Sequence, residues 1–374
     1  MTEKRYNELL SILALTKVQG LKAAHICTIL SAVEDVAELF SSPDAVYDVL
    51  PGATPALVAA LSDKSLFDCA EKELEFTAAK GIGITCIKDD DYPYRLKECD
   101  DAPPVIYTMG NANLNARHIV SIVGTRRVTE YGKDICNAFV GDLARMLPDV
   151  LVVSGLAYGV DVCAHRAALK AGLPTIGVLA HGLHRIYPSS HRTVAKEMLA
   201  NGGLLTEYMS GTEPLKYNFL QRNRIVAGLA DATVVIESPS TGGSLVTASI
   251  AQSYMRDCFA FPGRVNDQFS MGCNELIAHN KAALITSAYD FVEAMNWGAA
   301  VKGKTPREAE LFPELPPMEQ VLLDLLRENS GGMQLNSIVV ALDIPVGRVM
   351  SLLFELEMKN LIRTQAGGAY RAIV

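Results

Sequence analysis

The sequence predicts an α/β protein whose core is a doubly wound parallel β-sheet, with a helical domain before it and a small helix-and-strand domain after it. Three patterns predict this. From residue 118 onward, short runs rich in Val and Ile, such as His118–Val123, Val150–Val153 and Thr233–Glu237, alternate with amphipathic segments. Strands buried on both faces by crossover helices have that rhythm. Residues 1–81 instead carry Leu and Ile at helical spacing. Residues 319–374 read as three helices and a short strand pair, the order of a winged helix-turn-helix. The central sheet is thus Rossmann-like, and its ligands belong beyond the carboxyl ends of its strands.

In chain order, residues 3–41 form short helices. Leu9, Leu10, Leu13 and Leu15 recur near helical spacing, Gly20 breaks the run, and Leu21–Leu30 and Val33–Phe40 continue it. Thr54–Leu61 and Leu66–Lys80 are two further helices, stopped by Gly81 and Gly83. The stretch LTKVQGLKAAHICTIL loosely resembles a helix-hairpin-helix, but its turn lacks Gly-x-Gly and it is read as structural. Ile84–Ile87 and Val105–Met109 are strands joined by an Asp/Tyr/Pro-rich loop. The core then runs through strand His118–Val123, helix 129–146, strand Val150–Val153, helix 160–171, strand Thr175–Leu179 and helix 189–200. It continues with strand Leu204–Thr206, helix 218–229, strand Thr233–Glu237, helix 245–255, strand Cys258–Phe261, helix 273–280, strand Ala283–Ile285 and helix 288–296. Helices Glu319–Glu328, Leu335–Leu342 and Val346–Lys359, with a strand pair around Gly367-Gly368, make the winged helix. The division expected is a helical domain over 1–81, a Rossmann-like domain over 82–297, a Pro-, Gly- and charge-rich linker over 298–318 and a winged helix over 319–374.

The chain has 374 residues, 34 Lys and Arg against 42 Asp and Glu, and a net charge of −8. That excludes a non-specific nucleic-acid coat, which needs a basic surface throughout. The charge is uneven, however. Residues 1–116 carry 10 basic and 18 acidic side chains, 117–230 carry 13 and 8, and 231–374 carry 11 and 16. A basic middle between acidic flanks suits a segment that meets an anion. The N-terminus has no apolar core with a small-residue cleavage site, and no run of about 18 uncharged apolar residues occurs, so a cytoplasmic chain without membrane contact is expected. None of the eight cysteines stands at Cys-x-x-Cys spacing, so they read as reduced core thiols, with no metal site expected.

The loops after the strands carry the chemistry. Gly124-Thr125-Arg126-Arg127, Ser154-Gly155-Leu156-Ala157-Tyr158-Gly159-Val160-Asp161, Ala180-His181-Gly182 with Tyr187-Pro188, and Thr241-Gly242-Gly243-Ser244 each bring glycine and small polar groups towards a helix start. Free N–H groups and the helix dipole favour an anion there. Neither GxGxxG nor GxxxxGKS is present, so the loops are neither a dinucleotide fingerprint nor a Walker A loop. A second cluster, Lys216-Tyr217-Asn218-Phe219-Leu220-Gln221-Arg222-Asn223-Arg224, interleaves cations with aromatic rings, as single-stranded nucleic acid requires for its phosphates and bases. One of its arginines is also open to a structural pairing with Asp231 or Glu237.

Taken together, IVGTRRVTEYG, VVSGLAYGVDVCAH, TIGVLAHGLHRIYP, GGLLTEY, FLQRNRIVAGLADATVVIES, TGGSLVTASIA and FAFPG, in this order over roughly residues 84–296, resemble the DNA-processing protein A family (DprA, also called Smf). The resemblance implies an N-terminal SAM-like helical domain, a Rossmann-like domain that binds single-stranded DNA, and a C-terminal winged helix. It implies a recombination mediator without cofactor or catalytic residues, which protects single-stranded DNA, forms a homodimer and helps load the RecA recombinase in DNA processing and natural transformation. Carried onto this sequence, the DNA pocket falls on Gly124, Thr125, Arg126, Lys216, Phe219, Arg222, Asn223, Arg224, Gly242, Gly243 and Ser244. Ser154 and Gly155 join it from the loop pattern. Thr125 replaces the family's commoner serine but keeps the hydroxyl, and Leu220 stands where a proline is usual.

The alternative is a nucleotide-binding or nucleotide-hydrolysing protein of the same Rossmann-like superfamily. Hydrolases of that superfamily carry PGGxGTxxE, and Ser249 falls at the glutamate position here. A Ser154–His165–Asp161 triad is set aside, because Asp161 and His165 read as a helix cap and a structural histidine; His181, His184 and His191 suggest a metal by residue type only. The winged helix carries 5 basic and 6 acidic residues, and its 346–359 helix sets Arg348 and Lys359 against Glu355 and Glu357, which favours protein contact or self-association over duplex DNA.

Overall fold

The computed structural model describes residues 2–298, 315–329, 332–359, 361–364 and 368–373. They form two compact units, one ending before residue 300 and one made of the residues from 315 onward.

The first unit opens with helices α1 (Glu3–Thr16), α2 (Ala23–Ala32), α3 (Ala37–Ser41), α4 (Val46–Val49), α5 (Pro55–Leu61) and α6 (Ser65–Lys80). Their boundaries follow local chemistry. The Thr2 hydroxyl accepts the Arg5 N–H at the start of α1, Thr54 caps α5 with Pro55 at its first position, and Gly81 ends α6 in the left-handed region. Leu9, Ile12, Leu13, Leu15, Ile29, Leu39, Leu61 and Leu74 meet in one core. That core runs without a break into β1 (Gly83–Cys86) and, beyond α7 (Tyr94–Lys97), into β2 (Val105–Gly110), through Cys86, Val105 and Tyr107. Glu73 of α6, buried, accepts the Ser210 backbone N–H at 2.8 and 3.0 Å and also the Ser210 hydroxyl, so the helices are clamped to a loop of the sheet domain.

The remainder alternates: β3 (Ile119–Val123), α8 (Glu130–Met146), β4 (Leu151–Ser154), α9 (Val160–Ala171), β5 (Thr175–Val178), α10 (Arg192–Met198), β6 (Gly202–Thr206), α11 (Lys216–Gly228), β7 (Ala232–Val235), α12 (Gly243–Ser253), β8 (Asp257–Ala260), α13 (Met271–Ala278), β9 (Ala283–Leu284) and α14 (Ala288–Ala294). The sheet order is β1-β2-β6-β5-β4-β3-β7-β8-β9. From β6 to β9 all neighbours are parallel, while β1 and β2 add an antiparallel edge. The strands are apolar on both faces. Val120 and Ile122 point into the layer with Phe139 of α8, Ala164 of α9 and Phe291 of α14, and Ile119 and Val123 point into the layer with Ile225 of α11, Ala248 of α12 and Cys273 of α13. The chain steps outward from β3 to β6, then returns to the other side of β3 as β7. The sheet order therefore reverses between β3 and β7, and a crevice opens beyond their carboxyl ends.

Several details depart from the sequence expectation, among them the short helices α4 and α7, which it did not contain. The helix expected over 189–200 is a 3₁₀ turn, Ser189–His191, followed by the shorter α10. Strand β6 begins at Gly202 rather than Leu204. Gly202 has φ +135 and lies against the Thr175 carbonyl, where a β-carbon would overlap it. Close backbone approach selects glycine there, and strand propensity cannot see it. Helix α11 begins at Lys216 rather than 218, which places Lys216 in its first turn.

The second unit consists of α15 (Pro317–Glu328), β10 (Met333–Gln334), α16 (Leu335–Leu342), α17 (Val346–Met358), β11 (Ile362–Thr364) and β12 (Ala369–Ala372). Its antiparallel sheet has the order β10-β12-β11. Leu322, Leu326, Ile338, Val349, Leu353 and Leu356 form its core, a winged-helix domain. Most of the expected linker, residues 299–314, and Gly367 of the expected strand turn lie outside the described residues. Among the described residues no single helix is long and apolar enough to cross a membrane.

Candidate nucleic-acid interface

The crevice at the β3/β7 reversal is a cleft of about 280 Å³. It is lined by Val123, Gly124, Thr125 and Arg126 after β3, by Gly155, Ala157 and Asp161 after β4, by Arg222, Asn223 and Val226 of α11, and by Pro239, Gly242, Gly243, Ser244 and Thr247 around the start of α12.

The loops are locked by backbone contacts together with two side chains, Glu237 and Thr125. The Thr125 N–H donates to the Glu237 carbonyl at 2.7 Å, and the Thr125 carbonyl accepts the Val160 N–H at 3.1 Å. A β-carbon on Gly124 would overlap Val160, and one on Gly159, at φ +79, would overlap the Thr125 carbonyl. Glu237, buried, accepts the Thr129 N–H at 2.9 Å and the Thr129 hydroxyl at 2.6 Å, which fixes the start of α8. The Thr125 hydroxyl closes its own turn by accepting the Arg127 N–H at 3.1 Å.

Arg222 forms the floor. It is 3% exposed, and its Nη1 donates to the Val178 carbonyl at 2.7 Å. Its Nε has no partner among the described residues. Burial lowers the guanidinium pKa, with Arg126 adding to the effect and Asp161 opposing it. Burial also raises the Asp161 carboxyl pKa, with Arg222 and the Ala157 N–H acting against the rise. Two arginines thus face one carboxylate, and the buried guanidinium keeps an unused donor, so the cleft retains room for a further negative charge. The start of α12 adds to this demand. Gly242 is its N-cap, no side chain caps it, and Gly242, Gly243 and Ser244 line the cleft.

The rim is aromatic and basic. Arg126 is exposed, and its Cζ lies 5.4 Å from the Phe219 ring centroid. The Phe219 ring lies 5.8 Å from that of Tyr187 at an interplanar angle of 60°. His181 positions Tyr187: its Nδ1 faces the Gly182 carbonyl at 2.9 Å, and its Nε2 accepts the Tyr187 N–H at 3.2 Å. Burial lowers the His181 pKa, which favours the neutral ring this pairing needs. Lys216 is exposed on the first turn of α11, one turn before Phe219.

Gly124, Thr125, Arg126, Gly155, Arg222, Asn223, Gly242, Gly243 and Ser244 thus converge on the cleft, Phe219 meets Arg126 at its edge, and Lys216 stands one helical turn before Phe219. Two expected residues do not. Ser154 is fully buried at the end of β4, and its hydroxyl donates to the Ile122 carbonyl at 2.6 Å. Arg224 follows Arg222 by two residues and so points the opposite way from α11. It donates to the Asp101 carbonyl at 2.5 Å and is ion-paired with Glu207. Neither Asp231 nor Glu237 takes an arginine of the cluster, since Asp231 pairs with Arg95 at 2.5 Å and Glu237 with Thr129. The Ser244 hydroxyl donates to Ser238 at 2.8 Å, which leaves its backbone N–H as its contribution to the cleft. Ser154, His165 and Asp161 form no triad. The serine proton goes to Ile122, and His165 Nδ1 lies 2.7 Å from the Thr175 hydroxyl. Tyr187 was missed as a site residue; the Tyr-Pro pair after the third core strand was its only trace in the sequence. Among the described residues no group of three or more His, Cys, Asp or Glu side chains could hold a metal ion.

Residues 83–296 match the family described as DNA recombination-mediator protein A, and residues 306–368 match the DprA winged helix domain. A putative DNA processing protein DprA of Mycobacterium tuberculosis is 33% identical over 313 residues, 80% of this chain and 79% of that one. A protein Smf of Escherichia coli is 33% identical over 75% of each. The crystal structure of DNA processing protein A from Streptococcus pneumoniae superimposes with a TM-score of 0.66 at 32% identity, covering 79% of this chain and 98% of that one. A structure of DNA processing protein A from Helicobacter pylori, described for its single-stranded DNA binding mode, superimposes with a TM-score of 0.52 at 31% identity, covering 58% of this chain and 96% of that one.

Proposed function

The chain belongs to the DNA recombination-mediator protein A family, and from that premise we propose that it binds single-stranded DNA in the β3/β7 cleft and passes it to a RecA-type recombinase. The observation that carries the reading is the buried Arg222, with an unused Nε and Arg126 beside it, facing the uncapped start of α12. Phosphate satisfies all three. Arg126 and Lys216 take phosphates along the strand, and Phe219 with Tyr187 offers faces for bases. Such a site reads backbone and ring faces, so it has little sequence preference. Protection of the strand, RecA loading and homodimer formation rest on family membership. In the same reading the division into helical, Rossmann-like, linker and winged-helix parts is kept, the chain works without catalysis, and its place is the cytoplasm.

The test is fluorescence anisotropy with a labelled oligo-dT, competed by unlabelled thymidine monophosphate and by longer oligo-dT. A polymer site is displaced by the oligomer at far lower concentration than by the mononucleotide. Equal displacement, or release of free base from a nucleoside monophosphate, favours the nucleotide-binding or nucleotide-hydrolysing alternative. RecA strand exchange on DNA already coated with a single-strand-binding protein, with and without this chain, tests the loading step.

A further inference from the structure

Two stretches of chain carry the rim: residues 181–187, which end in Tyr187, and the first turn of α11, which holds Lys216 and leads to Phe219. Both are fastened to one loop, residues 207–215. The Gly182 N–H donates to the Thr212 carbonyl at 3.1 Å, and the Gly211 N–H donates to His184 Nδ1 at 3.1 Å. A β-carbon on Gly182 would overlap the Met209 carbonyl, so the two segments also meet backbone to backbone. The Asn218 side chain, in the first turn of α11, donates to the Glu213 carbonyl at 3.1 Å.

The loop in turn is fastened to the helical domain. Met209 is buried in the core that α1 to α6 build, and Leu183 of the other stretch packs against the same core. Glu73 of α6 is 4% exposed, and its carboxylate accepts the Ser210 N–H at 2.8 and 3.0 Å and the Ser210 hydroxyl. A buried carboxylate stripped of its donors is costly, so the bonds hold Ser210 firmly in place. We infer that Glu73 is a positioning residue for the DNA strand: through Ser210 it fixes the 207–215 loop, and the helical domain thereby sets where Tyr187, Lys216 and Phe219 stand. Glu73 is absent from the cleft lining and acts only through the loop. A binding surface keeps its geometry when a second layer of packing and hydrogen bonds supports it. The inference rests on the reading of this cleft as a single-stranded DNA site.

The test is oligo-dT anisotropy on the full chain, at a temperature where circular dichroism shows each variant folded. Glu73→Ala is expected to lose about fivefold in affinity, the scale that positioning effects at a distance reach. In a Lys216→Ala/Phe219→Leu background, which lacks the rim, the same change should alter affinity by less than about twofold. Glu73→Gln, whose amide can still accept the N–H and donate to the hydroxyl, should keep most of the wild-type affinity. Amide hydrogen exchange should quicken at 181–187 and 207–215 in Glu73→Ala and stay unchanged in β3 and β4. If Glu73→Ala does not fold, Ser210→Ala, which removes only the hydroxyl bond, enters the same comparison with a smaller loss expected. The inference is overturned by unchanged affinity, by an equal loss in both backgrounds, or by exchange that quickens equally throughout the sheet. A Lys216→Ala/Phe219→Leu chain that binds as wild type does overturns the cleft reading itself, and that result needs no change at Glu73.

Discussion

Gly155 leaves open the space that the Arg222 guanidinium fills, and any β-carbon at residue 155 would overlap Nη1 of that arginine. The glycine in the loop after β4 is therefore required by a buried cation as much as by the turn. Gly155→Ala is expected to push Arg222 off the Val178 carbonyl, costing about 1–3 kcal/mol of stability as an overpacked site. It should weaken oligo-dT binding as well. Urea unfolding and anisotropy on one preparation check both, and wild-type values in both would show that Arg222 does not depend on the glycine.

Arg126 and Phe219 are stacked in the free protein, so their contributions to binding should not add. Arg126→Ala, Phe219→Leu and the double variant form a cycle, with an expected coupling of about 0.5–1 kcal/mol from the exposed cation–π contact. Additive losses in oligo-dT affinity would mean that the two act on the strand separately.

Arg224 serves the fold. Arg224→Ala strands the largely buried Glu207 carboxylate, whose pKa burial already raises, and should cost on the order of 3 kcal/mol in urea unfolding. At a temperature where the variant is folded, its oligo-dT affinity should match wild type. A specific loss of binding with unchanged stability would return Arg224 to the cleft.

His165 makes stability depend on pH. It is fully buried, its Nε2 has no partner among the described residues, and burial depresses its pKa to about 3 from 6.5. Between those pH values the unfolded chain binds a proton that the folded chain excludes. Stability is thus full above pH 6.5 and falls as pH drops below it, by up to about 1.4 kcal/mol per unit from this group. His118 and His181, also depressed by burial, add in the same direction. Urea midpoints at about pH 7.5 and about pH 5.5 should therefore fall less in His165→Gln than in wild type, and parallel falls would contradict the assignment.

The winged helix should contribute little to duplex DNA binding. Along its second long helix, α17, Val346, Met350, Phe354 and Met358 stand exposed at every fourth residue, the last two by 64% and 68%. A groove-reading helix presents basic side chains there. Removal of residues 316–374 should leave duplex affinity within about twofold, under about 0.5 kcal/mol, and a large loss would assign duplex contact to this domain.

Much of the architecture was legible in the sequence, because Val/Ile runs and Leu periodicity report burial directly. The helix over 160–171 and the strands read over His118–Val123 and Val150–Val153 are examples. Strand β6 was read short because its first two residues are glycines chosen by backbone contact. The site was legible as a set of loops, since glycine clusters at strand ends mark both tight turns and anion sites. Side-chain direction was not. Arg222 and Arg224 look alike in FLQRNRIVAG, yet two residues on a helix turn one to the cleft floor and the other to Glu207. Ser154 looked like an anion ligand, but it lies one pleat too deep, inside the sheet.

The central claim is tested most directly by the affinity of the full chain for a labelled oligo-dT at low salt, compared among wild type, Arg126→Ala and Lys216→Ala. Both side chains are exposed and neither holds the core, so each variant should keep the wild-type melting temperature. Each should lose on the order of tenfold in affinity, about 1.4 kcal/mol, and show a shallower fall of log affinity with log salt, by about 0.7 per phosphate contact removed. Unchanged affinity and salt slope in both variants would contradict a single-stranded DNA site in this cleft.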